Sequence, residues 1–144
     1  MTTAPVLVAI GESRSSLGAL NAAGVYANHG KSPLVAVHVI EVQRALPLDA
    51  DLDAESRRGE QLLRRAEGLA HEKGFTVEGA LLQARDAGQA IVEEAKMRGA
   101  ELIVLGVGYR RLIGQFDLGK TADYVLRHAQ CQVWLVREAV GADE

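Results

Sequence analysis

The stretch Gly106-Val107-Gly108-Tyr109-Arg110-Arg111-Leu112-Ile113-Gly114-Gln115-Phe116-Asp117-Leu118-Gly119-Lys120-Thr121 gathers four glycines, two arginines and a lysine. It lies between an apolar run that reads as a strand and a periodic segment that reads as a helix. At such a junction, free backbone N–H groups and the positive end of the helix dipole favour an anion. A phosphate is the natural candidate. The competing reading is that the glycines only permit turns and the arginines are solvated, and residue types alone leave both open.

Gly114 to Thr121 also spells Gly-x-x-x-x-Gly-Lys-Thr, the phosphate-loop pattern. The context argues against a working one. A true phosphate loop follows its strand directly and needs a later strand ending in a magnesium-binding Asp, whereas here only Val133 to Val136 remains, followed by Arg137. Other constellations fail on spacing. His29, His38, His71 and His128 show no metal-ligand pattern, and Cys131 is the single cysteine, so neither a metal site nor a disulfide within the chain is expected. Ser13 sits in Gly-x-Ser-x-Ser and reads as a helix cap rather than a nucleophile. Glu93 and Glu94 are consecutive and point to different helix faces, so they are no acid–base pair. Arg57-Arg58 and Arg64-Arg65 read as a solvated helix face.

The elements that must position these residues follow from apolar patterning. Val6 to Ile10, ending at Gly11, is a run apolar on both faces, as a strand covered by helices on each side requires. Ser13 then caps a predicted helix over 14–29, with Leu17, Leu20, Gly24, Val25 and Asn28 at helical spacing and Gly30 as the stop. Leu34 to Ile40 is a second buried strand and 41–54 a loop; the sequence leaves open whether it closes over the crevice, with Leu46-Pro47-Leu48 as a flap, or stays away from it. From Glu55 the stripe Leu62, Leu63, Ala66, Leu69, Ala70 marks a helix ending at Gly74. Thr76 to Gln83 is a weaker strand. Asp86 with Gln89 resembles a capping box opening a helix through Ile91, Ala95 and Met97 to Gly99. Leu102 to Gly106 is the fourth strand, Gly119 to Ala129 the fourth helix through Ala122, Val125 and Leu126, and Val133 to Val136 the fifth strand.

Strands alternating with helices predict an α/β, doubly wound, five-stranded parallel sheet with helices on both faces; the strand order expected is 3-2-1-4-5. In such sheets ligands bind beyond the carboxyl ends of the strands, where the winding reverses. With 144 residues, 48% of them hydrophobic, one domain over 1–144 is expected. The net charge of −3 supplies no positive field to hold nucleic acid or an anionic membrane, so any anion site must be local. No apolar run approaches the roughly 18–20 residues of a membrane span. Met1 to Pro5 has neither basic residues nor a long apolar run, which makes the cytoplasm the expected compartment. No repeat or low-complexity segment is present.

Several segments together resemble the universal stress protein family over nearly the whole chain. They are Val8-Ala9-Ile10-Gly11-Glu12-Ser13, His38-Val39, Ala100 to Gly106, Gly119 through Tyr124-Val125-Leu126-Arg127-His128-Ala129, and Cys131 to Val136. The resemblance implies ATP or AMP as ligand, and a Gly-x2-Gly-x9-Gly-Ser/Thr motif after strand four. That frame falls on Gly106, Tyr109, Gly119 and Lys120, two of which depart from it. A third departure is Gly11, where nucleotide-binding members usually carry an Asp facing the nucleoside. Tyr109 stands where backbone must approach a phosphate, Lys120 replaces a hydroxyl with a cation, and Gly11 removes a carboxylate, so altered, weaker or absent ATP binding is expected.

The resemblance thus implies a cytosolic stress-response regulator whose site comprises Ala9, Ile10, Gly11, Val39, Leu105, Gly106, Tyr109, Gly119, Lys120 and Thr121. An adenine nucleotide or related small molecule would lie between strands one and four. The alternative is a nucleotide-free interaction module, such as the soluble partner of a membrane transporter or sensor. Catalysis is not expected, slow ATP hydrolysis being a minor third reading because no residue is placed to orient water. Alternation in the last strand puts Val133 and Leu135 on one face and Trp134 and Val136 on the other. Either this terminal strand pairs with a second copy, as the family's homodimers imply, or Trp134 packs under a helix.

Overall fold

The computed structural model describes residues 4–108, 111–112, 115–116 and 119–139. Eleven elements follow in the order β1 (Val6–Ala9), α1 (Ser15–Gly30), β2 (Leu34–Glu41), α2 (Asp53–Glu72), β3 (Val77–Ala84), α3 (Ala87–Arg98), β4 (Leu102–Val107), β5 (Arg111–Leu112), β6 (Gln115–Phe116), α4 (Lys120–His128) and β7 (Gln132–Arg137). The main sheet has the order β3-β2-β1-β4-β7, all parallel, which is the predicted doubly wound arrangement. The unpredicted elements are β5 and β6, paired antiparallel as Arg111 with Phe116 and Leu112 with Gln115. Two-residue strands carry no periodicity to read.

Alternation along each strand sends side chains to two cores. Val6, Val8, Leu34, Leu102 and Val104 pack under α1 and α2, while Leu7, Val35, Val37, Ile103 and Leu105 pack under α3 and α4. Fully burying an aliphatic side chain of this kind stabilises the fold by about 1.5–3 kcal/mol. Trp134 and Val136 join the first core, Val133 and Leu135 the second. The Trp134 ring meets Tyr26 of α1 edge-on, with centroids 5.0 Å apart. Trp134 therefore packs under a helix, and what the edge strand β7 leaves open is its backbone.

The helices depart from the expected stripes. α1 buries Ala19, Leu20, Ala23, Gly24 and Ala27, whereas Val25 is exposed, as is Asn28. Small residues let α1 approach the sheet closely, and the Phe75 ring occupies the place of a side chain at Gly24. Met97 and Leu126 are exposed too, Met97 by 80%, so they stand outside the core. Asp86 behaves as predicted: its Oδ1 accepts from the Gln89 N–H at 2.9 Å and caps α3. Gly99, with φ of 65°, ends that helix.

At the end of α1 the left-handed residue is Lys31, with φ of 57°, one position beyond the predicted stop at Gly30. The Ser32 N–H donates to Ala27 O at 2.8 Å and closes the turn. A side chain in this region carries a steric cost of about 1–2 kcal/mol. Lys31→Gly is therefore expected to raise stability by about 0.5–1 kcal/mol, seen as a Tm higher by about 2–4 °C in a calorimetric melt.

Candidate functional site

β1 and β4 are neighbours, yet the chain leaves β1 toward β2 and reaches β4 only after winding back, so the reversal falls between them. A crevice of about 250 Å³ opens there at the carboxyl ends of the strands. Its floor is apolar: Ala9 from β1, Val37 and Val39 from β2, Leu105 from β4, and Ile91 from α3. The first turns of three helices surround it, through Ser15 and Ser16 of α1, Ala87 of α3 and Thr121 of α4. The positive ends of three helix dipoles thus border a slot whose floor is apolar and whose walls carry Glu12, Ser13, Ser15, Ser16, His38 and Thr121.

Of the residues expected at a site, Ala9, Ile10, Gly11, Val39, Leu105, Gly106 and Thr121 line this crevice together. Gly119 and Lys120 lie at the start of α4, beside Thr121 and outside the lining. Gly119 has φ of 84°, a conformation that needs glycine, and Lys120 is largely exposed. Tyr109 falls outside the described residues. Sequence reasoning missed Val37, Ile91, Ala87 and the hydroxyls of Ser15 and Ser16. Glu12, next to Gly11, also reaches the lining.

Hydrogen bonds tie the end of β1 in place. The Gly11 N–H donates to Ser16 Oγ at 2.8 Å. Ser13 Oγ lies 2.9 Å from Ser15 Oγ and accepts from the Ser15 N–H at 3.3 Å, but the expected cap is not Ser13: the N-cap position falls on Arg14, without a side-chain cap bond, because α1 starts one residue later than predicted. His38 Nδ1 is 2.7 Å from Ile10 O. A carbonyl only accepts, so Nδ1 carries the proton and the ring stitches β2 to the end of β1. His38 was legible as a polar residue in an otherwise apolar strand.

Gly106 has a reason different from the expected one. A Cβ there would collide with the backbone carbonyl of Ser15 and lie 3.0 Å from Ser16 N. The glycine lets the first turn of α1 dock on β4. At Gly11 there is open space, the nearest atom to an added Cβ being Ser16 Oγ at 3.8 Å.

The rim carries charge. Glu41, the last residue of β2, accepts from the Ala87 N–H at 2.8 Å through Oε2, and the same oxygen lies 3.8 Å from Lys120 Nζ. The segment after Glu41 folds away. Gln83 Nε2 donates to Leu48 O at 2.8 Å and Ala50 O at 2.9 Å, and Arg85 Nη1 donates to Gln43 O at 2.6 Å and Leu46 O at 2.7 Å. None of residues 43–52 is among the described residues lining the crevice, and Leu46-Pro47-Leu48 lies in the stretch pinned against the end of β3.

Elsewhere, a larger hollow of about 490 Å³ lies at the opposite end of the sheet around Lys31, Pro33 and Phe75, away from the helix N-termini. Cys131 is also remote from the crevice, and burial pushes its thiol up, away from the reactive thiolate. Among the described residues, no group of three or more His, Cys, Asp or Glu is placed to hold a metal.

A doubly wound sheet with a crevice at its switch point, bordered by three helix N-termini, defines the class of this protein as an open α/β fold. The model of the universal stress protein family matches residues 3–137, and the chain belongs to that family. It is 28% identical over 109 residues to a universal stress protein of Methanocaldococcus jannaschii, a match covering 72% of this chain and 64% of that relative. The chain thus spans under two thirds of that relative's length. A structure of a universal stress protein from Archaeoglobus fulgidus superposes with a TM-score of 0.78 at 23% identity, covering 92% of this chain and 98% of that one. The structure of the universal stress protein from Archaeoglobus fulgidus in complex with dAMP gives 0.76 at 23% identity, covering 94% and 98%. Both likenesses concern the fold.

Gly106→Ala is expected to destabilise by about 1–3 kcal/mol, because both atoms it would meet are backbone and cannot turn aside. Urea unfolding of the ligand-free protein checks this, with Gly108→Ala as the control, since a Cβ there meets open space.

Proposed function

We propose that the protein binds an adenine nucleotide in the crevice between β1 and β4 and acts as a cytosolic stress-response regulator rather than an enzyme. The observation that carries this reading is the crevice at the switch point, bordered by three helix N-termini. The Archaeoglobus fulgidus relative of the same fold, in complex with dAMP, supports it. Ala9, Val37, Val39 and Leu105 suit the flat face of a base, and Thr121 with the first turn of α4 suits sugar and phosphate. Against catalysis, Ser13, Ser15 and Ser16 at the crevice bond to each other and to backbone, and His38 bonds to the Ile10 carbonyl.

A homodimer through the open backbone of β7 belongs to the same reading. A second reading, a nucleotide-free module that contacts a transporter or sensor, is favoured by two observations. Gly11 offers the nucleoside no carboxylate, and Lys120 is engaged with Glu41.

Titration calorimetry with AMP, ADP, ATP and cyclic dinucleotides separates the two: saturable heat from an adenine nucleotide supports the first, and no heat from any at millimolar concentration selects the second. Position 11 gives a sharper check, being open and free of positive φ. Gly11→Asp is expected to tighten adenosine binding by about tenfold, the worth of a hydrogen bond to a charged group.

A further inference from the structure

Glu41 holds a position that no ligand argument requires. It ends β2 at the mouth of the crevice, and its Oε2 spans the first residue of α3, Ala87, and the first residue of α4, Lys120. Ala87 and Thr121 both line the crevice and α3 packs beside α4, so this carboxylate sits against two neighbouring helix N-termini that border the slot. The Ala87 N–H and the α3 dipole keep it there. Asp86 adds a second carboxylate on the same turn, so the positive end of α3 is already answered from within the chain.

We infer that Glu41 is a built-in anion that makes the crevice select nucleosides and nucleoside monophosphates over di- and triphosphates. The inference rests on the nucleotide reading of this same site. A phosphate reaching for Lys120 must take it from Glu41 and then sit beside a carboxylate held on α3. The exposed ion pair is itself weak, so most of the penalty is the repulsion between the carboxylate and each added phosphate charge. An uncharged nucleoside meets neither cost.

The test compares adenosine, AMP and magnesium-free ATP by calorimetry on the wild-type protein and on Glu41→Gln, which keeps an acceptor for the Ala87 N–H and removes the charge. Wild type is expected to bind AMP more tightly than ATP, and Glu41→Gln to gain about tenfold for ATP with adenosine unchanged. An AMP-to-ATP ratio that stays the same in the variant overturns the role of Glu41 and leaves the nucleotide reading standing. Absence of binding by all three ligands to both proteins overturns both readings. A salt series on the wild type gives a check that needs no variant. Raising salt to about 0.5 M should bring the ATP affinity closer to that of AMP as the repulsion is screened, and an ATP affinity that instead falls more steeply than that of AMP overturns the inference.

Discussion

The contact on which the site depends is between two backbones. The first turn of α1 rests directly on β4 at Gly106, closer than any side chain at that position would permit. Because α1 begins only six residues after β1 ends, this docking fixes the path of Gly11 to Arg14 and brings Ser15 and Ser16 over the end of the sheet. The Gly11 N–H to Ser16 bond and the Ser13 to Ser15 contact then satisfy groups that the tight turn would otherwise leave open. The α1 side of the crevice is thereby set by a packing requirement before any ligand enters.

The same ends of the molecule concentrate positive potential, and the chain answers part of it. Asp86 and Glu41 cover the start of α3, and the Ser13 hydroxyl serves the start of α1. At α4 the N-cap is Gly119, which has no side chain to act as a cap. The three helix ends around the slot are therefore unequal, and the chemistry of the site is asymmetric: carboxylates toward α3, a cation toward α4, and hydroxyls toward α1.

The sheet was legible in the sequence because buried parallel strands announce themselves as unbroken aliphatic runs, as Val6 to Ile10 and Leu102 to Leu105 do. Their alternation with helices made them parallel, while their order needs contacts far apart in the chain. Asp86 was legible because capping is a local hydrogen bond between residues three apart. Val25, Met97 and Leu126 misled because an apolar residue at near-helical spacing does not reveal which stripe faces the sheet, and α1 uses alanine and glycine there. Gly106 was marked correctly as special for the wrong cause, since a distant Ser15 carbonyl leaves no local trace. Glu41 was unreadable for the same reason: its partners Ala87 and Lys120 lie far along the chain and meet it only once the sheet has formed.

The pinned segment after β2 bears on how quickly the slot exchanges its contents. Gln83 and Arg85 hold residues 43 to 50 against the end of β3 through four hydrogen bonds to backbone carbonyls. Ordering that stretch is therefore a cost of folding and is not charged against association. For a nucleotide bound there as proposed, entry and exit on this side would need no rearrangement of the segment, and occupancy would follow the surrounding concentration promptly, as in a gauge rather than a store.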